Sequence, residues 1–235
     1  MDNHQNETRF KLEPPDGAGA ISSILCAKGT SLFAGHSDGK IRQYGRGDAE
    51  CRRIDWESSK ELRSEFDGHR GAVTCLDYGM GCLYSSGKDG FILQWDIDYR
   101  TVLKKFGDGA FPVKSFLLRS RLNINPDLRD SMWVAFNDGK IKVWDLETGD
   151  NVLEELHLLE GPEICSAVAR QRHVYYSDSA GQVHDVDMSV IGVMSKTTTV
   201  KLGEEGMLVN GLVHKGEYLY AGGEVQLGSG VRVRG

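Results

Sequence analysis

The sequence predicts an all-β protein built from a repeated unit of four short strands, and three features lead there. Four times a Gly-led line introduces a short strand: SDGKIRQYG from Ser37, KDGFILQWD from Lys88, NDGKIKVWD from Asn137 and SAGQVHDVD from Ser179. The shared glycines, Gly39, Gly90, Gly139 and Gly181, are spaced by 51, 49 and 42 residues. A period of that size belongs to stacked or radial repeat architectures. Between the glycines lie short runs rich in Val, Ile, Leu, Tyr and Phe, broken by Gly, Asp, Asn and Ser, with no apolar i, i+3, i+4 stripe; this is the pattern of strands and tight turns. Composition agrees, because 29 glycines supply turn conformations and only 5 prolines intrude on strands.

Each element follows in order. Residues 1–17 form a polar lead-in, in which Arg9-Phe10-Lys11-Leu12 alternates as an edge or closing strand would. Residues 18–235 hold the repeats, with units near 18–67, 68–107, 108–158, 159–203 and 204–235. Unit one has strands at 20–27, 31–36 and 40–45, a polar insertion, and a fourth strand near 62–66. Unit two has strands at 73–79, 82–87, 91–96 and 101–106, and unit three at 113–119, 132–137, 140–146 and 151–156. Unit four has strands at 164–170, 173–178 and 182–187 and a looser one over 197–202, where Thr-Thr-Thr-Val suits a strand. Unit five has strands at 208–214 and 218–223, with material for only a third near 231–234. Four units are thus complete and the fifth is not. Such an array fits a piece of a larger ring, an open arc completed by a partner chain, or a small ring closed by the strand at residues 8–13 beside residues 229–234.

Unit two carries a chemically connected set: Gly68-His69, Ser85, Asp89-Gly90 and Trp95-Asp96. His69 stands at the entry to the first strand, within reach of Ser85 on the second strand and Asp89 in the following turn. The indole N–H of Trp95 has the Ser85 hydroxyl as its partner. Bonds of this kind satisfy buried polar groups and tie three strands together. Ser, His and Asp are also the residue types of a hydrolase triad. No nucleophile elbow follows Ser85, however, and Trp95 occupies its hydroxyl, so the set reads as structural and no catalytic residue is assigned.

The set resembles the WD-repeat pattern of β-propeller proteins, in which Gly-His and Trp-Asp bracket each repeat. The resemblance extends over residues 18–223. Unit three keeps Asp138-Gly139 and Trp144-Asp145, with Val134 where unit two has Ser85. Units one and four lack the Gly-His and carry Tyr44 and Val186 in the Trp position, although Asp187 keeps the final Asp. The resemblance implies a WD-repeat β-propeller: four complete four-stranded blades and an incomplete fifth around a central channel, with repeat and blade offset by one strand. It also implies a scaffold that binds partner proteins or peptides, typically within a multi-protein complex.

On that arrangement the residue before each turn Asp, or its equivalent, projects from one rim, and loops on a rigid scaffold carry binding. These are Ser37, Lys88, Asn137 and Ser179, with Arg70 beside them after the Gly-His. Trp56, in the insertion, is either tucked against its unit or exposed as a binding anchor. The competing class is a propeller enzyme, hydrolase-like, using channel residues. The first strands of the units, ISSILCA, VTCLDY, VKSFLL, ICSAVA and LVNGLV, carry small and apolar residues, with Asp77 the one acidic exception. A narrower similarity lies in NETRFKLEPPDGAGAISSI, which is similar to the opening of the spindle-checkpoint and mRNA-export propellers; it implies binding of short peptide motifs.

Other classes find little support. A net charge of −6 and a pI near 5.7 argue against nucleic acid as a direct partner, and the pairs Arg52/Arg53 and Arg232/Arg234 are too small to reverse this. His184, Asp185 and Asp187 suggest a metal, but neighbours on a strand point to opposite faces, so no metal is expected. The Gly segments lack GxGxxG and Walker spacing, so no cofactor is expected. No apolar run is long enough to span a membrane. The N-terminus has no apolar core of a secretory signal. Cys26, Cys51, Cys75, Cys82 and Cys165 are scattered and odd in number, which suits a reducing intracellular compartment, cytoplasmic or nuclear.

Overall fold

Antiparallel strands without a helix make up the described residues of a computed structural model: 14–27, 31–45, 62–119, 130–136, 140–157, 164–170, 173–190, 193–201, 207–215 and 218–225. The first sheet is β1 (Ile21–Ala27), β2 (Ser31–His36), β3 (Lys40–Tyr44) and β4 (Leu62–Asp67). The second is β5 (Val73–Gly79), β6 (Cys82–Gly87), β7 (Ile92–Asp96) and β8 (Thr101–Phe106). The third is β9 (Val113–Arg119), β10 (Ser131–Phe136), β11 (Lys140–Asp145) and β12 (Asn151–His157). The fourth is β13 (Ile164–Arg170), β14 (His173–Asp178), β15 (Gln182–Val190) and β16 (Val193–Lys201). A fifth sheet pairs β17 (Met207–Lys215) with β18 (Tyr218–Val225). Every sheet is a meander whose strands lie in chain order.

The burial pattern explains the architecture. All six residues of β2 are buried, and on one side the second sheet supplies the cover, where Phe33 packs with Leu83 and Trp95. On the fourth strand β8 only Phe106 is buried, which is how a solvated edge reads. The first strands touch in the order β1, β5, β9, β13, β17, so the sheets stand side by side as propeller blades do. Serines stitch them together: the Ser22 hydroxyl donates to the Val73 carbonyl, Ser177 Oγ to the Val209 carbonyl at 2.8 Å, and the Leu212 N–H to Ser166 Oγ at 3.1 Å.

The core lies between sheets. Phe33 and Phe66 of the first pack with Leu83, Leu93 and Trp95 of the second. Rings meet edge to face, Phe33 to Phe66 at 6.0 Å and Phe66 to Trp95 at 5.7 Å between centroids. Such pairs contribute about 0.5–1.5 kcal/mol each beyond area burial. Tyr84 and Ile92 meet Phe116, Met132 and Phe136 in the same way, and Trp133 and Val143 meet Ile164 and Tyr176.

Two elements depart from the sequence reading. Phe91 lies outside β7, turned toward the adjoining loop. The β15–β16 hairpin is longer than expected, with Val190 paired to Val193, because the paired backbone continues past the last alternating apolar residue. The possible strands at 9–12 and 231–234 lie outside the described residues, so neither the closing strand nor the third strand of unit five is described. Cys26, Cys75, Cys82 and Cys165 form no disulfide among the described residues; Cys51 lies outside them.

Candidate functional site

The turn between β6 and β7 is the best-connected polar point of the molecule. His69, in the loop between β4 and β5, places Nε2 2.8 Å from Ser85 Oγ and Nδ1 3.0 Å from Asp89 Oδ1. Trp95 donates its indole N–H to Ser85 Oγ at 2.7 Å. Asp89 also accepts the backbone N–H of Arg70 at 2.9 Å and of Phe91 at 3.3 Å. Two glycines make the room. A Cβ on Gly68 would meet the Trp95 ring at 2.7 Å, and one on Gly87 would meet His69 Nδ1 at 2.6 Å.

The donors and acceptors fit one protonation state. Trp95 N–H gives to Ser85, Ser85 O–H gives to His69 Nε2, and His69 Nδ1–H gives to Asp89, so the imidazole is neutral. Burial presses the same way: it drives the His69 pKa below its ordinary 6.5, against the opposing charge and hydrogen bond of Asp89. The unfolded chain therefore binds a proton that the native state resists. Stability is complete above about pH 6.5 and falls as pH drops through the window between that value and the lower native pKa. Urea unfolding at about pH 7.5 and 5.5 is expected to show this loss; in His69→Gln the part of the slope that His69 contributes disappears. An unchanged slope in the variant would show that other groups carry it.

Chemically, the set has the residue types of a triad, but Ser85 is fully buried and its oxygen already accepts from Trp95. The geometry braces the loop before β5 to β6, β7 and the turn between them.

Units one and four hold different braces that the sequence reading missed. In the first sheet Arg42, buried on β3, lies 2.8 Å from Asp38 Oδ2 and 3.0 Å from Glu65 Oε2, although its Nε is out of line for a hydrogen bond to Glu65. Partial burial raises the Asp38 pKa, but hydrogen bonds from Arg42 and from the Lys40 and Gly19 N–H groups outweigh it and hold the carboxyl at about 2. In the fourth sheet His184 Nε2 lies 2.8 Å from Asp178 Oδ2 and Nδ1 3.0 Å from Thr199 Oγ1, and Tyr176 stacks on the imidazole at 4.6 Å. Arg42 and His184 occupy the position two before Tyr44 and Val186, where unit two has Leu93. Residues two apart share a strand face, so a charged or imidazole side chain there had to be buried and partnered. That was the available signal.

Of the rim residues, Ser37, Arg70, Lys88 and Ser179 are exposed and sit on loops that chain direction places along one edge of the sheets. Asn137 and Trp56 lie outside the described residues. Asp77 is the only carboxylate on the described first strands; burial raises its pKa against hydrogen bonds from the Tyr78 and Leu118 backbone. No group of three metal-ligating side chains occurs among the described residues.

Residues 60–96 match the family model described as WD domain, G-beta repeat. This segment is a WD repeat. It takes β4 from the first sheet and β5, β6 and β7 from the second, so this repeat is offset from the sheets by one strand and links two neighbours. No curated protein matches the chain. Two computationally designed proteins of known crystal structure are similar. Ika4 is 21% identical with a TM-score of 0.57, over 76% of this chain and 96% of Ika4. Ika8 is 20% identical with a TM-score of 0.61, over 87% of this chain and 55% of Ika8, so the chain spans about half of Ika8. At these identities the likeness is one of fold. Together with the sheets described above it gives the molecule an all-β, propeller-like arrangement of which residues 60–96 are a WD repeat.

Proposed function

We propose that the chain is a non-catalytic scaffold whose rim loops bind partner proteins or peptides. The observation that carries this reading is the bracing of the rim. The loop of His69 and Arg70 is tied to Asp89, and the Lys88 N–H donates to the Ala72 carbonyl at 2.9 Å, while the side chains of Ser37, Arg70, Lys88 and Ser179 stay exposed. Loops ordered before binding lose little entropy when a partner arrives. The triad-like set supports the same reading, because its hydroxyl is buried, as does the composition of the described first strands, on which Asp77 is the one carboxylate. Cysteines without a disulfide among the described residues suit a reducing compartment, cytoplasm or nucleus.

The test is an alanine set at Ser37, Arg70, Lys88 and Ser179, used as bait beside a Tyr99→Ser control on the opposite edge, with captured proteins quantified by mass spectrometry. Specific partners are expected to fall with the alanine set and persist with the control. Recovery that is unchanged by the alanine set rejects this rim as the binding site.

A further inference from the structure

We propose that Arg70, Lys88 and Phe111 form a docking platform for an acidic linear peptide bearing one large apolar side chain; the proposal rests on the rim reading above and names its partner chemistry.

Three loops converge on the turn between β6 and β7. The first carries Arg70, whose N–H is held by Asp89 Oδ2 at 2.9 Å; on the same loop a Cβ at Gly71 would lie 3.2 Å from Lys88 Cβ. The second is the turn itself, with Lys88. The third, between β8 and β9, carries Phe111: a Cβ on Gly90 would lie 2.8 Å from the Phe111 carbonyl oxygen and 2.7 Å from Gly109 Cα. The three residues therefore sit on mutually packed backbone where two adjacent sheets meet.

Their chemistry is complementary to one kind of ligand. Among the described residues, neither the Arg70 guanidinium nor the Lys88 ammonium has an ion pair or hydrogen bond, and both are exposed. Three other cations of these two sheets are engaged. Lys105 Nζ sits 3.4 Å above the Phe91 ring, Lys142 pairs with Asp108 at 3.2 Å, and Lys104 donates to the Leu146 and Glu147 carbonyls. The local carboxylates are engaged too, Asp89 by His69 and backbone N–H groups and Asp108 by Lys142. Phe111 is 46% exposed and follows Gly109, on which Phe91 packs, so an exposed apolar side chain leaves the loop that abuts the Lys88 turn. The chain as a whole carries −6. An acidic peptide is repelled over most of this surface and drawn to the place where unpaired positive charge is concentrated, so charge fixes where it docks and the apolar contact holds it.

Fluorescence anisotropy with the full chain tests this. The probes are dye-labelled synthetic peptides of about a dozen residues: one rich in Asp and Glu with a central Leu, one with Ser in place of that Leu, and one with the Leu among Lys and Arg; a single-stranded oligothymidine is the fourth. The acidic Leu peptide is expected to bind best. Arg70→Glu with Lys88→Glu should weaken it about tenfold or more, since charge reversal at a docking site removes attraction and adds repulsion. Phe111→Ser should erase the advantage of the Leu peptide over the Ser peptide. All three positions are exposed, so thermal melts of the variants should match the parent. Equal binding to the Arg70→Glu/Lys88→Glu variant, or tighter binding of the basic peptide or the oligonucleotide, overturns the platform. If the acidic peptide fails to bind while the rim alanine set still loses its partners, the platform falls and the rim reading stands; if the alanine set changes nothing, both fall.

Discussion

Trp95→Ala is expected to lower stability by about 3–5 kcal/mol, the usual range for truncating a buried Trp. Three losses combine at this residue. Its ring packs edge to face on Phe66 and fills the space beside Leu83 and Leu93 between the first and second sheets. Its N–H occupies Ser85, whose hydroxyl in turn serves His69. The site is also closed by Gly68, which has no side chain to collapse into the cavity. For a chain of this size the unfolding midpoint should fall by roughly 10 °C, readable by circular dichroism during heating. Trp95→Phe separates the terms. It keeps much of the ring but leaves Ser85 Oγ without its donor, so its cost should approach that of one buried hydrogen bond, about 1–3 kcal/mol. A loss below about 1 kcal/mol in Trp95→Ala would show that the ring is not part of the cooperative core.

Gly90→Ala should be the second large effect, and Gly149→Ala is its control. Both glycines have left-handed backbone, φ +78° and +85°, so both substitutions carry a strain of about 1–2 kcal/mol. They differ in surroundings. The Gly149 position has nothing within 4 Å of an added Cβ, whereas at Gly90 the Cβ would strike Gly109 Cα and the Phe111 carbonyl of the next sheet's entry loop. Overpacking of this kind adds about 1–3 kcal/mol. The difference between the two variants, measured by urea unfolding, isolates the contact between sheets. Equal losses would mean that the loop moves aside freely.

The strands were readable because their signals are local. Alternation of apolar and polar residues over five to seven positions and a Gly-led turn are properties of neighbouring residues, and they place β5, β6 and β8 to the residue. The WD pattern of unit two was readable for a related reason, since His69, Ser85, Asp89 and Trp95 are a familiar combination at a fixed spacing. Units one and four were harder. Asp38 keeps the turn position of Asp89, but its partner Arg42 is on β3, and Asp178 and His184 sit at other positions of their hairpin; the pairing of β2 with β3 and of β14 with β15 holds these turns. A template built on unit two registers these units as lacking the set, when each has a brace of its own.

The Gly-led line shows the division most clearly. From sequence, Gly39 and Gly90 are turn residues with positive φ, and that is correct, at +85° and +78°. Sequence also determined the all-β class, the order of the strands and the residue types at the rim. Only the tertiary structure shows that these glycines are the places where one sheet's turn lies against the next sheet's entry loop, Gly39 against the His69 carbonyl and Gly90 against Gly109 and Phe111. It likewise decided that Ser85 is buried against Trp95 and His69 and that, among the described residues, Arg70 and Lys88 carry no ion pair. Each of these depends on atoms brought together from distant parts of the chain, and contacts between sheets leave no periodic trace in the sequence of either partner.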